Sequence, residues 1–312
     1  MRTRDMHDGE DSGDFALASE PKGDGEIPSQ IGDYAIRELI GSGGMGQVFL
    51  AEHTRMQRLV AVKMLPVDRM KDEVAVSRFY DEVRAASRLM HPNIVTAFDA
   101  GELDDVHYLA MEYVDGQTLT KLVAQKGPLP VSEAAAVIRQ AALGLLHAHR
   151  AGIVHRDVKP ANIIYNSDDG RLQLTDFGIS TQLSRETADL SSPNMLEGTL
   201  SYMSPEQTGR MNRSIDYRSD FYSLGVSFYE MLCGQLPFDS SDSMELVHCH
   251  IAVEPPAPHV VNDQIPLSLS RIVMKLMAII SLVFANFFLS INTGHGALSF
   301  LPNHLILLQF LH

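Results

Sequence analysis

Residues 155–162 read His155-Arg156-Asp157-Val158-Lys159-Pro160-Ala161-Asn162, and Asp176-Phe177-Gly178 follows a short apolar run, Leu172-Gln173-Leu174. The first block is polar and interrupted by proline, which suits a loop rather than a buried helix or strand. Loops held by a scaffold are where reactive side chains collect. Transfer of a charged group to a hydroxyl needs a carboxylate to orient the incoming oxygen and take its proton, and Asp157 is that candidate. Lys159 can neutralise charge on the transferred group. Asn162 and Asp176 offer an amide oxygen and a carboxylate, the hard oxygen ligands that Mg2+ accepts beside phosphate. The plain alternative is a solvated polar loop that turns at Pro160.

Working towards the N-terminus, residues 34–65 read as three consecutive antiparallel strands with a glycine cluster in the first connection. Gly41, Gly43 and Gly46 let backbone approach phosphates without Cβ collisions. G-x-G-x-x-G occurs in dinucleotide folds too, but here a strand follows it and no Gly-Lys-Ser/Thr does. Lys63 lies in the β-branched run Ala61-Val62-Lys63, where it either snorkels outward or holds phosphate oxygens. Residues 72–90 change to helical spacing, with Phe79, Val83, Ala86 and Met90 on one face and Glu82 among them. A carboxylate in an apolar stripe needs a partner, and Lys63 supplies the matching charge. NIVTAFDAGE and VHYLAMEYV then read as further strands.

After Gly116 the chain turns mainly helical. Residues 132–150 carry apolar positions 134, 137, 138, 141 and 145, with Ser132 available as a cap. Residues 219–232 and 243–252 are further helix candidates. The expected class is α+β: a small antiparallel β lobe with one helix, joined to a larger helical lobe, with a ligand cleft at the junction.

These blocks together resemble the protein-kinase signature set, in particular bacterial Ser/Thr kinases of the eukaryotic type. Residues 171–278 are similar to the kinase domain of large multidomain sensor kinases. The resemblance implies a kinase domain over 33–278, with an N-lobe at about 33–111, a hinge at 112–115 and a C-lobe at about 116–278. It implies ATP and Mg2+ as cofactors and a protein substrate with a Ser/Thr acceptor. Gly41, Gly43, Gly46, Val48, Ala61 and Lys63 match nucleotide-binding positions, with Met111 as gatekeeper and Glu112 to Val114 as the hinge that meets adenine. Glu82 matches the helix glutamate, Asp157, Lys159 and Asn162 the catalytic loop, and Asn162 and Asp176 the metal ligands. Lys159 is typical of the Ser/Thr branch. The resemblance makes Asp220 a strut beneath the catalytic loop and Thr199 a selector of the acceptor, and it makes Thr187, Ser191 and Ser192 candidate phosphosites facing Arg156. The alternative function is an inactive or partner-dependent nucleotide-binding scaffold.

The resemblance ends near Ala278. Family members continue with an Arg that pairs with the glutamate in Ser204-Pro205-Glu206, whereas here no Asp, Glu, Lys or Arg follows Lys275. Glu206 is therefore expected to lack its partner, leaving the C-terminal end of the fold incomplete or divergent. The apolar tail, 279–312, fits three readings: a membrane anchor through 276–291, a divergent core helix, or a truncated or frame-shifted end, which is favoured. Residues 1–30 read as a disordered acidic leader with no signal-peptide pattern. The chain has 39 acidic and 25 basic residues, a net charge of -14, which argues against a general nucleic-acid surface. Its two cysteines, Cys233 and Cys249, suggest neither zinc nor disulfides, so a cytoplasmic kinase domain is expected.

Overall fold

Val60, Ala61 and Val62 are all buried, so their strand is covered on both faces. A computed structural model describes residues 28–43, 46–67, 70, 73–177, 200–211 and 213–278. In it, strands β1 (Gln30–Ile31), β2 (Tyr34–Gly43), β3 (Gly46–His53), β4 (Arg58–Met64), β5 (Ala97–Leu103) and β6 (Val106–Glu112) form an antiparallel sheet in the order β1-β2-β3-β4-β6-β5. β4 lies inside this sheet. Its alternation sends Val60 and Val62 to a cluster with Tyr34, Ala51, Tyr108 and Ala110. Ala61 goes to the opposite cluster, with Phe79 and Val83 of helix α1 (Glu73–Ala86) and with Met111. Lys63, two residues from Ala61, shares that helix-facing side.

The helix keeps the predicted period only as far as Ala86. Phe79 and Val83 are buried, but Met90 is 78% exposed beyond the helix end, and Leu89 takes the buried place. The chain unwinds before Pro92, so a strict helical count carries the stripe one turn too far.

The larger lobe is assembled from a small sheet of β7 (Gln117–Thr118), β8 (Ile163–Tyr165) and β9 (Leu172–Leu174), with helices α2 (Leu119–Lys126), α3 (Val131–Arg150), α4 (Tyr217–Cys233), α5 (Ser243–Ala252), α6 (Pro258–Val261) and α7 (Leu267–Met277). Ala134, Val137, Ile138, Ala141 and Leu145 of α3 all enter its core, as their spacing predicts. Ser132 does not cap that helix. Pro130 holds the cap position without a side-chain bond, and Ser132 falls inside the first turn. Asp216 caps α4, accepting from the Arg218 N–H at 2.9 Å.

The leader up to residue 27, the candidate phosphosites Thr187, Ser191 and Ser192, the selector Thr199 and the tail from residue 279 lie outside the described residues. Among the described residues no helix is long and apolar enough to cross a membrane.

Helix α7 packs along α4 at Gly225. A Cβ built there would lie 2.8 Å from the Leu276 Cβ and 2.9 Å from the Met277 Cγ. Gly225→Val should therefore lower stability by about 1–3 kcal/mol in denaturant unfolding. Gly43→Ala, where a Cβ meets nothing within 4 Å, should change it little. Equal midpoints for the two variants would contradict this packing.

Candidate active site

The loop before β8 is fixed from below by one carboxylate. Asp220, in the first turn of α4, is fully buried; its Oδ2 accepts from the His155 N–H at 2.8 Å and its Oδ1 from the Arg156 N–H at 2.7 Å. Its Oδ2 also lies 2.7 Å from His149 Nε2. These bonds hold Arg156 in the left-handed region at φ 66°, a conformation unfavourable for a long side chain. The strut expected at Asp220 is present.

His155 Nδ1 accepts from the Asp157 N–H at 3.3 Å, which leaves Nε2 to carry the proton towards the Thr175 carbonyl, 3.0 Å away. The ring also packs on Phe177, with centroids 4.4 Å apart. His155 thus couples the catalytic loop to the segment after β9.

Asp157 sits among donors. Its Oδ2 accepts from Asn162 Nδ2 at 2.8 Å and pairs with Lys159 Nζ at 3.0 Å. Asn162 Nδ2 also donates to the Asp157 carbonyl at 2.8 Å, so the acceptor end of that amide is its oxygen. Asp176 is held at φ 63°, and its Oδ1 meets Lys63 Nζ at 2.7 Å. Burial opposes ionisation of Asp176, but Lys63, with His155 and Lys159 further off, holds its carboxyl below the usual range. An ionised carboxylate and an amide oxygen are a donor set that suits Mg2+.

The Lys63–Glu82 pair expected from the sequence is absent. Lys63 is 3% exposed and bonded to Asp176, while Glu82 Oε2 is buried with no hydrogen-bond partner among the described residues. Burial raises the Glu82 pKa to about 7, against the attraction of Arg156 and Arg78. Arg156 Nε is likewise buried without a hydrogen-bond partner among the described residues. Position in a helical stripe put Glu82 on the inward face, but the choice among the surrounding cations is made by how the two lobes sit.

Around the cleft, Ala61 is buried against Met111, and Val48 packs on the same cluster. Thr175 Oγ1 lies 3.8 Å from the Met111 sulfur. β6 ends at Glu112, so Tyr113 and Val114 stand outside the ladder, where their backbone can meet a ligand. Gly46, at φ 113°, approaches β4 so closely that a Cβ would lie 1.9 Å from the Met64 carbonyl oxygen. Only glycine fits that turn of the loop. Gly41 and Gly43 lie on the preceding strand of the same hairpin.

Glu206 is not left unpaired. Its Oε1 accepts from Ser219 Oγ at 2.5 Å, and Arg218, one residue earlier in the chain, feels its charge. The expected defect from the missing Arg is therefore relieved locally by α4. Two further links were not anticipated. Gln207 Nε2 donates to the Arg156 carbonyl at 2.7 Å, and Tyr202 Oη donates to Glu230 at 2.5 Å. The first had a readable signal, because Ser204 and Gln207 form a capping box over Pro205–Thr208. The second joins residues far apart in sequence and had none.

The protein kinase domain family matches residues 34–278. The serine/threonine-protein kinase PrkC of Bacillus subtilis is 40% identical over 247 residues, covering 79% of this chain and 37% of that protein. PknB of Mycobacterium tuberculosis is 37% identical over 256 residues, covering 80% of this chain and 40% of that protein. The chain thus spans about two fifths of the length of these relatives. Among solved structures, the M. tuberculosis PknI kinase domain superposes with a TM-score of 0.65 at 29% identity, covering 81% of this chain and 90% of that one. Rad53 1-466 in complex with AMP-PNP superposes with a TM-score of 0.65 at 25% identity, covering 78% and 60%. With its catalytic loop, glycine hairpin and two-lobed fold all in the matched span, the chain belongs to the protein kinase domain family, among the bacterial serine/threonine kinases of eukaryotic type.

Proposed function

We propose that this chain transfers the γ-phosphate of ATP to Ser and Thr hydroxyls of proteins. The observation that carries the reading is the 2.7 Å pair between Lys63 of the small lobe and Asp176 of the large one, beside Asp157, Lys159 and Asn162. That arrangement gathers a metal-binding carboxylate and amide, two cations and a base at one point of the cleft.

In this reading Gly41, Gly43 and Gly46 lie over the triphosphate, while Val48, Ala61 and Met111 enclose adenine. The Glu112 carbonyl and Val114 N–H supply its hydrogen bonds. Asn162 and Asp176 would hold Mg2+, which when bound draws charge from the phosphate oxygens. Asp157 orients the acceptor hydroxyl, fixed by the Asn162 and Lys159 donors on Oδ2. The hydroxyl oxygen bonds to the γ-phosphorus as the bond to the β–γ bridging oxygen breaks; ADP leaves and the hydroxyl proton passes to Asp157. Lys159 stabilises the charge on the moving group.

Lys63 begins on Asp176, so this is a resting arrangement. With the triphosphate bound, Lys63 takes phosphate oxygens and Glu82 as partners, which frees Asp176. Glu82 then gains the countercharge that its buried Oε2 lacks.

Two outcomes follow. Asp157→Asn should lower radiolabelled phosphate transfer from ATP to a basic protein by about 100-fold or more; equal transfer by wild type and variant would refute the enzyme reading. Glu82 has a folded-state pKa raised from 4.5 to about 7, so its contribution to stability is full at low pH and fades as pH rises through about 7. Glu82→Gln stays neutral. In nucleotide-free protein its melting temperature should gain on wild type from pH 5 to pH 8, although its activity falls. A pH-independent difference would show that Glu82 is already paired.

A further inference from the structure

Gln173 is the middle residue of β9, between Leu172 and Leu174, which are both fully buried. Its own side chain is half-buried on the other face of the strand. Its Nε2 donates to Glu112 Oε2 at 3.1 Å and lies 3.5 Å from the Ile94 carbonyl. Both of those groups are acceptors, so the nitrogen end of the amide is the end that faces them. The bond joins β9 of the large lobe to the last residue of β6 in the small one. It is a side-chain tie between the lobes that the phosphate chemistry above does not use.

Glu112 is also held by Thr96. Its N–H donates to the Thr96 carbonyl at 2.9 Å, and its Oε2 accepts from the Thr96 N–H at 3.3 Å. Oε2 thus takes one N–H from the small lobe and one from the large. The backbone around Thr96 is fastened to β9 as well, because the Leu174 N–H donates to the Asn93 carbonyl and the Val95 N–H to the Leu174 carbonyl, both at 2.9 Å. Bonds therefore lead from Glu112 through residues 93–96 to Leu174, and Gln173 shortens that path to one contact. Beyond Leu174, the Thr175 N–H donates to the Asn162 carbonyl at 3.0 Å, and Asp176 follows.

We propose that Gln173 is a positioning residue for the nucleotide: its amide ties the Glu112 side chain to the strand that leads to Asp176, and so fixes the spacing between the adenine end and the phosphate end of the ATP site. This inference rests on the protein-kinase reading, in which Glu112 begins the segment that meets adenine and Asp176 holds the metal. A nucleotide spans both ends, so binding improves when their separation is set before it arrives. A carboxamide suits the position because it presents a donor to a carboxylate without adding charge. Leucine fills similar volume and makes no bond, and glutamate keeps the shape but sets a second carboxylate against the first.

The test compares Gln173→Leu, Gln173→Glu and the exchanged pair Glu112→Gln/Gln173→Glu in the full chain, with ATP-Mg2+ and an unstructured basic protein rich in Ser and Thr. Gln173→Leu should raise KM for ATP about 5-fold, the factor expected for one partly exposed hydrogen bond to a carboxylate, with kcat and acceptor KM within about 2-fold. Gln173→Glu should raise it further. The exchanged pair restores one donor facing one carboxylate and should recover most of the loss. Two readouts need no activity: calorimetric affinity for ADP-Mg2+ should fall in the same order, and exchange of the Thr96 amide should quicken in both single variants and slow again in the exchanged pair. Wild-type KM for ATP in Gln173→Glu would overturn the proposal whatever the exchange rates. So would an exchanged pair no better than Gln173→Glu, or losses shared equally by KM for ATP, acceptor KM and kcat. Wild type no more active than Asp157→Asn would instead remove the kinase reading, and ADP affinity with Thr96 exchange would still decide the role of Gln173.

Discussion

The ion pair between Lys63 and Asp176 joins a strand of the small lobe to the start of the segment after β9, across the cleft. Both groups are largely withdrawn from water, so neither could be left charged without the other. That constraint dictates much of what surrounds them. β4 must be an inner strand, because only a strand covered on both faces delivers Lys63 to a dry site. Asp176 must adopt a left-handed backbone, which aims its carboxylate into the cleft while Phe177 turns back onto His155.

The pair also explains why Glu82 is strained in this arrangement. A carboxylate that loses its cation inside a protein either finds another or takes up a proton. Glu82 lies under the influence of Arg156 and Arg78, and still its pKa is lifted to about 7. Two buried carboxylates of the large lobe are better met. Asp220 is more deeply buried but meets two backbone N–H groups and a histidine, and Glu206 meets Ser219. Among the described residues, Glu82 is the carboxylate left with a buried oxygen that accepts no hydrogen bond.

The residues assigned here to phosphate chemistry were legible because that chemistry restricts them to few types at fixed spacing. Asp157, Lys159 and Asn162 share one loop, and Asp176 follows at the end of a short strand, so local sequence alone nearly places them. The α3 core positions were legible for a different reason, since a helix of twenty residues repeats its period often enough to average out exceptions. Short-range rules failed where a choice depended on distant chain. Met90 continued the stripe on paper, but the helix had ended. Ser132 had the right chemistry for a cap and the wrong position. Glu82 was placed on the correct face, yet its partner is chosen by lobe geometry, which no local pattern encodes. Glu206 was expected to lack a partner because its usual one is a distant arginine, whereas a serine in α4 suffices. The links of Tyr202 to Glu230 and of Tyr222 to His250 join helices and turns that meet only after folding.

The account turns on Lys63 changing partners. The most direct measurement is a crystal structure of the chain with a non-hydrolysable ATP analogue and Mg2+. The account predicts Lys63 Nζ on phosphate oxygens and within hydrogen-bond distance of Glu82, with Asp176 and Asn162 on the metal. Lys63 still bonded to Asp176, with Glu82 unpaired and the nucleotide seated, would contradict it.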